Sequence, residues 1–185
     1  MLAEDTTAPF MRERRFLLRD LPAGIHRASR HWQLTDNYLT GTAGLSLRFM
    51  RLPETNERRY ALRRVSRDDG ADLSRIRVAE FPLTVEEHNQ LLALQNREVR
   101  FNQYLLTIAE QEYTIEMYLG PLLNLFLART GVDENSFERN APPFAVAEVT
   151  DDEMFLGESL ARLTAADLRA ELSRRRVTKT SADES

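Results

Sequence analysis

Alternation of apolar and polar side chains along short segments is the feature that most constrains the fold of this 185-residue chain. In FMRERRFLL (residues 10–18), one face of a strand would carry Phe10, Phe16 and Leu18, and the other Met11, Glu13 and Arg15. A period of two, or a run typical of strands, recurs in residues 33–41, 45–51, 58–66, 74–81, 99–107, 113–119, 122–130 and 144–150. Turn-rich sequences such as TAG and LPETNE separate several of them, which predicts about eight antiparallel strands.

Two segments instead have the signals of helices. TVEEHNQLLALQ begins at Thr84 with Glu87 three residues later, which is a capping-box pattern, and we expect His88 to be an exposed residue of this helix. TAADLRAELSRRR begins at Thr164 and places Leu168 and Leu172 at helical spacing. The fold class is therefore α+β and mainly antiparallel β. Either a sandwich or a barrel with a polar lumen and flanking helices fits, and the period alone does not choose between them.

The length predicts a single domain over residues 10–173, with a flexible segment at 1–9 and a basic, then disordered, tail at 174–185. The longest apolar stretch, LGPLLNLFLA, is too short to cross a bilayer, and the acidic N-terminus lacks the features of a signal peptide. The chain has no cysteine, which excludes disulfides and cysteine nucleophiles. We expect a cytoplasmic protein without membrane contact.

Charge is distributed unevenly along the chain. Residues 12–77 hold 15 arginines and 8 acidic residues, whereas residues 80–173 hold 6 arginines and 17 acidic residues. Either arginine has replaced lysine through genome composition, or one side of the fold handles anions and the other handles cations. No aromatic-and-basic motif of a nucleic-acid-binding module is present, which argues against nucleic acid as the anion.

Four segments in order resemble the CYTH family, also called triphosphate tunnel metalloenzymes. RERRFLLRDLP (12–22) is similar to the family's opening strand, which reads E-x-E-x-K-F-L and is followed by Leu-Pro. The likeness continues through TDNYLTGT (35–42), YTIEMYLGPLLNLFLA (113–128) and AEVTDDEMFLGESLA (147–161). The resemblance implies an eight-stranded antiparallel tunnel with flanking helices.

The resemblance also implies a chemistry. Arginines and lysines in the family's lumen hold a triphosphate, and carboxylates hold Mg²⁺ or Mn²⁺. Members hydrolyse tripolyphosphate, thiamine triphosphate or nucleoside triphosphates, or cyclise ATP. Such a lining is chemically reasonable because guanidinium forks neutralise phosphate oxygens, whereas hard divalent cations need several oxygen ligands.

Several of the family's positions are changed in this chain. The first acid of the opening strand is Met11, and the two acids of the family's A-E-V-E fall on Arg129 and Gly131. The family's R-x-R-x-R strand falls on Gly44, Ser46 and Arg48. The resemblance leaves Arg15, Arg48, Arg63 and Arg100 as phosphate-binding candidates, and Glu13, Glu116 and Glu148 as metal-binding candidates. For Glu148, a local ion pair that closes the fold is the favoured interpretation.

These changes leave three hypotheses open. The chain is a catalytically degenerate CYTH-like protein without a metal cofactor, which either binds a polyphosphate or nucleotide or has a filled lumen and serves as a scaffold for a protein partner. An ion pair from Arg129 to Glu13 or Glu116 would favour the filled lumen. Alternatively, the chain is an active triphosphatase that uses Mg²⁺ or Mn²⁺, with further ligands such as Glu110, Glu112 or Glu148. The third hypothesis is an unrelated β-rich binding module.

Overall fold

The computed structural model describes residues 9–67, 72–132, 140–175 and 177, and these residues form a closed antiparallel barrel of eight strands. A ninth strand is attached to the outside of the barrel. The strands are β1 (Met11–Leu18), β2 (Trp32–Leu39), β3 (Leu45–Leu52), β4 (Glu57–Arg67), β5 (Arg75–Pro82), β6 (Asn96–Ile108), β7 (Gln111–Tyr118), β8 (Phe126–Val132) and β9 (Ala145–Glu148). The expected barrel, rather than a sandwich, is therefore confirmed.

The barrel closes because β1 and β5, which stand at opposite ends of the strand order, also pair with each other. The strand order is β5-β4-β3-β2-β6-β7-β8-β1, and the beginning of β1 pairs with β5 through Met11–Ile76 and Arg12–Arg75. The end of β1 pairs on the same edge with β9, from Phe16 onward. This order places β3 across the barrel from β8, and β4 across from β7. The closing pair is short, so it covers the beginning of β5 but not the rest of that edge of the strand.

Three helices lie in the described ranges: α1 (Val85–Leu91), α2 (Gly157–Leu160) and α3 (Ala165–Arg174). The predicted capping box of Thr84 and Glu87 is present at α1, and α3 has a second one, formed by Thr164 and Asp167, that was not predicted. Such caps satisfy backbone N–H groups that have no partner within the helix. No helix in the described part of the chain has the length and apolar character needed to span a membrane.

Two apolar clusters hold the barrel together. One combines lumen-facing side chains such as Leu34 and Phe101 with Leu160 of α2 and Leu168 and Leu172 of α3, so the helices pack against apolar residues from inside the barrel. The other covers the outer face of β1, β6, β7 and β8, and its main members are Phe16, Leu18, Tyr104, Ile115, Met117 and Phe126. Part of the lumen is therefore an ordinary apolar core rather than a polar channel.

The strand predictions hold with shifted ends, whereas one helix residue was predicted wrongly. Strand β8 begins at Phe126, because a short 3₁₀ helix (Gly120–Leu122) occupies the start of the segment predicted as 122–130. His88 is only 4% exposed instead of lying on the surface, and its ring stacks on Tyr60 of β4 at a centroid distance of 5.0 Å. The predicted flexible start and the predicted disordered end lie almost entirely outside the described residues. Val177, within that predicted tail, is buried in the apolar core.

Burial of His88 leads to a prediction about pH. Burial lowers the pKa of His88, and a contact with Asn89 offsets this only in part. The folded state therefore binds a proton at His88 less readily than the unfolded chain does. Protonation of His88 should cost no stability above the unfolded pKa of about 6.5, and the free energy of unfolding should fall as the pH drops below that value. We expect the free energy of unfolding in urea to decrease between pH 7.5 and pH 5.5. The decrease should be smaller in His88→Phe, and an identical decrease in both proteins would contradict the prediction.

Candidate functional site

A cavity of about 270 Å³ lies inside the barrel, beside the apolar part of the lumen. Its lining is unusually rich in charge for a protein interior, with four arginines and four acids among the described residues. The charged members are Arg48, Arg63, Arg67, Arg129, Glu13, Asp36, Glu116 and Glu158. The neutral members include Met11, Tyr38, Gly44, Val65, Val99, Phe101, Gln103, Thr114, Tyr118 and Gly131. Alternation explains the members that lie on strands, since every second residue of a barrel strand faces inward, whereas Glu158 comes from α2.

On one side of the cavity, Arg129 of β8 joins the two acids of the neighbouring strands. Its Nε donates to Oε2 of Glu116 at 2.9 Å, and its Nη1 donates to Oε1 of Glu13 at 3.2 Å. The hydroxyl of Tyr118 donates to the same Oε2 of Glu116 at 2.7 Å. This group, hereafter the Arg129 cluster (Glu13, Glu116, Tyr118 and Arg129), contains the ion pair that was expected to favour a filled lumen.

Burial and neighbouring charges shift the pKa values of two members of the Arg129 cluster, Arg129 and Tyr118. Burial alone would lower the pKa of Arg129, but the charges of Glu116 and Glu13 outweigh it and raise that pKa well above its usual value. Burial, together with the charge of Glu116, raises the pKa of Tyr118. At neutral pH the cluster therefore contains a guanidinium cation and a neutral phenol that donates its proton.

On the opposite side, Arg48 and Asp36 form a two-pronged ion pair. Nε and Nη2 of Arg48 donate to the two carboxylate oxygens of Asp36 at 2.8 and 2.7 Å. Burial alone would raise the pKa of Asp36, but the charge of Arg48 outweighs it, so the pKa is lowered and the carboxylate stays ionised. Asp36 was not among the residues predicted from the sequence. It lies two residues from both Leu34 and Tyr38, so alternation along this strand could have placed it in the lumen.

Two further arginines of this side, Arg63 and Arg67, lie on the inner face of β4 with Val65 between them. Glu80 forms ion pairs with both Arg63 and Arg48, with its Oε1 2.9 Å from Nε of Arg63 and 3.4 Å from Nη1 of Arg48, and it accepts a hydrogen bond from Arg48. Arg67 donates from Nη1 to Oε1 of Glu158 in α2 at 3.0 Å. Neither Arg67 nor Glu158 was predicted. Arg67 lies one residue beyond the predicted end of its strand, and Glu158 reaches the cavity only through the packing of α2.

Arg15 is close to the cavity but committed to the protein interior. Its side chain is only 1% exposed, and its Nη2 donates to the backbone carbonyl oxygens of Thr150 and Leu73. Burial, assisted by the charge of Arg129, lowers the pKa of Arg15 to about 10. Because its Nη2 donates to backbone oxygens, Arg15 stabilises the contact between β1 and the chain that follows β9, and it does not line the cavity.

Two other candidates from the sequence lie away from the cavity. Arg100 was expected to face the lumen, but Val99, Phe101 and Gln103 do so, whereas Arg100 is 53% exposed and pairs with Glu98 at 3.1 Å. That placement was wrong by one residue, because the lumen is apolar at this level. Glu148 accepts two hydrogen bonds from Arg14, at 2.9 and 2.6 Å, as the local ion-pair interpretation predicted.

The residues of the cavity do not fit a divalent cation. Within the described ranges, no group of three or more His, Asp or Glu side chains has the arrangement of a metal site. Glu13 and Glu116 are bridged by a guanidinium, and Asp36 is bound by Arg48. Glu110 and Glu112, the other suggested ligands, do not line the cavity. Mg²⁺ requires several oxygen ligands and would have to compete with these arginines for them.

Comparison with solved structures finds the same fold. A crystal structure of the hypothetical protein NE1496 has 22% sequence identity and a TM-score of 0.56, over 83% of this chain and 99% of that chain. A crystal structure described as the inorganic triphosphatase NE1496 has 22% identity and a TM-score of 0.55, over 82% of this chain and 93% of that chain. No family model and no curated protein matches the sequence. The likeness to a triphosphate tunnel is thus confirmed for the fold.

Proposed function

We propose that this protein binds a phosphate-bearing anion of the polyphosphate or nucleotide class in the central cavity through arginine side chains, without a divalent metal, and does not hydrolyse it. The main support for this proposal is the position of Arg129 between Glu13 and Glu116. A guanidinium there supplies the positive charge that a cation would otherwise bring to the two carboxylates. It has no open coordination position and cannot activate water as a metal ion does.

The opposite side of the cavity supports anion binding. Arg48, Arg63 and Arg67 project inward from adjacent strands, and guanidinium groups are well suited to phosphate oxygens because they present up to five N–H donors in a planar fork. Among the described residues, the only ion-pair partner of Arg63 is Glu80, and that of Arg67 is Glu158. One carboxylate uses only part of a guanidinium, so both arginines keep donors for a ligand.

The second candidate function is hydrolysis of tripolyphosphate or an organic triphosphate with Mg²⁺ or Mn²⁺. Its support is the fold shared with the structure described as an inorganic triphosphatase. It would require a metal site formed in spite of the pairing of Glu13, Asp36 and Glu116 with arginines.

Titration calorimetry with tripolyphosphate and ATP, with Mg²⁺ or Mn²⁺ and with chelator alone, separates the two functions. We expect binding in chelator and no release of phosphate from the same samples. Metal-dependent release would contradict the proposal and favour the second candidate. Absence of binding under all conditions would also contradict it, and would indicate a lumen filled by its own ion pairs.

Substitution of Arg63 tests which residues bind the anion. Arg63→Ala should weaken binding about tenfold or more, because a hydrogen bond between charged groups contributes about 1.5–3 kcal/mol. Arg64→Ala is the matched control, since Arg64 is the next residue of the same strand, is exposed and does not line the cavity. Equal affinities of the two variants would place the anion outside the cavity.

A further inference from the structure

We infer that Glu80 and Glu158 are built-in competitors for the anion, because each carboxylate occupies an arginine that the ligand needs and must move away on binding. The inference rests on the proposed function and adds to it a statement about which anions the site accepts. The two acids are the most exposed of those that pair with cavity arginines.

Glu80 neutralises two cavity arginines from the edge of the site. It lies near the end of β5, opposite Arg63 in the strand register, and its carboxylate contacts both Arg63 and Arg48. Its side chain is 43% exposed, whereas that of Arg63 is 17% exposed. Water can therefore solvate the carboxylate of Glu80 when it leaves, so that the cost of separating the pair is small.

Glu158 plays the same part for Arg67 from a different element. It belongs to α2, which has only four residues, and its side chain is 24% exposed. The preceding residue, Gly157, lies so close to the ring of Tyr38 that an added Cβ would be 1.8 Å from the phenolic oxygen. The absence of a side chain at 157 thus lets α2 approach the cavity closely enough for Glu158 to reach Arg67.

The remaining acids of the cavity cannot leave in this way. The side chains of Asp36, Glu116 and Glu13 are 2%, 6% and 17% exposed, all less than Glu158, and each pairs with an arginine of the cavity. Separating such a pair leaves an uncompensated charge away from water, which is strongly unfavourable. Displacement is therefore confined to Glu80 and Glu158.

This division determines the charge that a ligand must bring. With all acids in place, the four arginines and four acids that line the cavity cancel, and Glu80 adds a further negative charge beside them. A ligand that displaces both competitors must supply at least two negative charges to the arginines they release. The site should therefore favour diphosphate or triphosphate groups over singly charged anions of similar chemistry.

The test compares Glu80→Gln, Glu158→Gln and the double variant with the unchanged protein, using calorimetry in chelator with tripolyphosphate and with orthophosphate as probes. Glu57→Gln is the matched control, because Glu57 is as exposed as Glu80, at 43%, but pairs with Arg59, which does not line the cavity. We expect each single substitution to tighten tripolyphosphate binding about three- to fivefold, the double variant to do so further, and Glu57→Gln to leave it unchanged. The unchanged protein should bind tripolyphosphate more tightly than orthophosphate.

The outcomes separate the inference from the proposed function. If the unchanged protein binds tripolyphosphate and the substitutions leave affinity the same or weaken it, the competitor role is overturned while anion binding stands. If neither the unchanged protein nor the double variant binds, the proposed function is overturned and the inference with it. Binding by the double variant alone would support the inference and show that the competitors hold the cavity closed.

Discussion

Replacing Arg129 with alanine is expected to destabilise the protein by about 3–5 kcal/mol at neutral pH. The substitution removes the guanidinium that joins Glu13 and Glu116, which leaves Glu116 without a cation and Glu13 with only the distant Nε of Arg15, at 3.9 Å. Removal of one partner from a buried ion pair costs far more than the net contribution of the pair, because the remaining charge keeps its desolvation penalty. Urea unfolding followed by circular dichroism measures the change.

Arg174→Ala is the matched control for this prediction. Arg174 also pairs with a glutamate, Glu171, but the arginine side chain is 67% exposed, so its loss should change stability little. A similar small effect of both substitutions would contradict the assignment of Arg129 as the residue that neutralises the two acids.

The same variant offers a second measurement that a purely structural residue would not affect. If Arg129 takes the place of a cation, Mn²⁺ should raise the melting temperature of Arg129→Ala, since the two acids are then free to bind a metal ion. The unchanged protein should show no such rise. A rise of equal size in both proteins would mean that a metal site exists in spite of Arg129.

Replacing Gly44 with alanine should have the second-largest effect, a loss of about 3–5 kcal/mol of unfolding free energy. Gly44 has a φ of +64°, which costs other residues about 1–2 kcal/mol, and an added Cβ would lie 2.0 Å from the carbonyl oxygen of Val65. That oxygen belongs to the backbone of β4, so the overlap can be relieved only by separating β3 from β4.

Gly41→Ala separates the two contributions. Gly41 also has a positive φ, of +80°, but an added Cβ would meet nothing within 4 Å. We expect it to lose only the backbone contribution, about 1–2 kcal/mol, in the same urea experiment. Equal losses in the two variants would show that the strands can adjust around position 44.

The prediction for Gly44 also bears on the tunnel lining. Position 44 is where the first arginine of the family's R-x-R-x-R strand falls, and the close approach of the Val65 carbonyl leaves no room there for a side chain. The absence of an arginine at this position is therefore tied to the path of two strands. A substitution of Gly44 by arginine would have to move the backbone as well as change the side chain.

Local patterns were enough to predict the inward faces of several strands. Glu13 on β1, Arg48 on β3 and Arg63 on β4 all line the cavity as alternation and the family resemblance indicated. Alternation succeeds here because the side chains of a strand point to opposite faces at every step, which is a property of the strand itself. The two capping boxes were predictable for a similar reason, since each involves residues three positions apart.

The wrong placement of Arg100 shows the limit of this reasoning. Because the lumen was expected to be polar, Arg100 was assigned to the inside of the barrel. At this level the barrel is filled by Phe101 together with residues of α2 and α3, and the arginine points outward. Whether a given level of a barrel is polar or apolar depends on what packs there from elsewhere in the chain.

The sequence by itself determined the strands, two of the helices and many inward-facing residues, since strand period, turns and caps act over a few residues. The choice of a barrel over a sandwich came from the family resemblance and not from these local patterns. Only the tertiary structure decided how the charges inside the barrel pair. Arg129 meets Glu13 and Glu116 because β8 lies between β1 and β7, and Glu158 meets Arg67 because α2 packs near β4. Such contacts depend on strand order and helix packing across as many as 116 residues of sequence. They decide whether the acids of the lumen face a cation from solution or an arginine of the same chain.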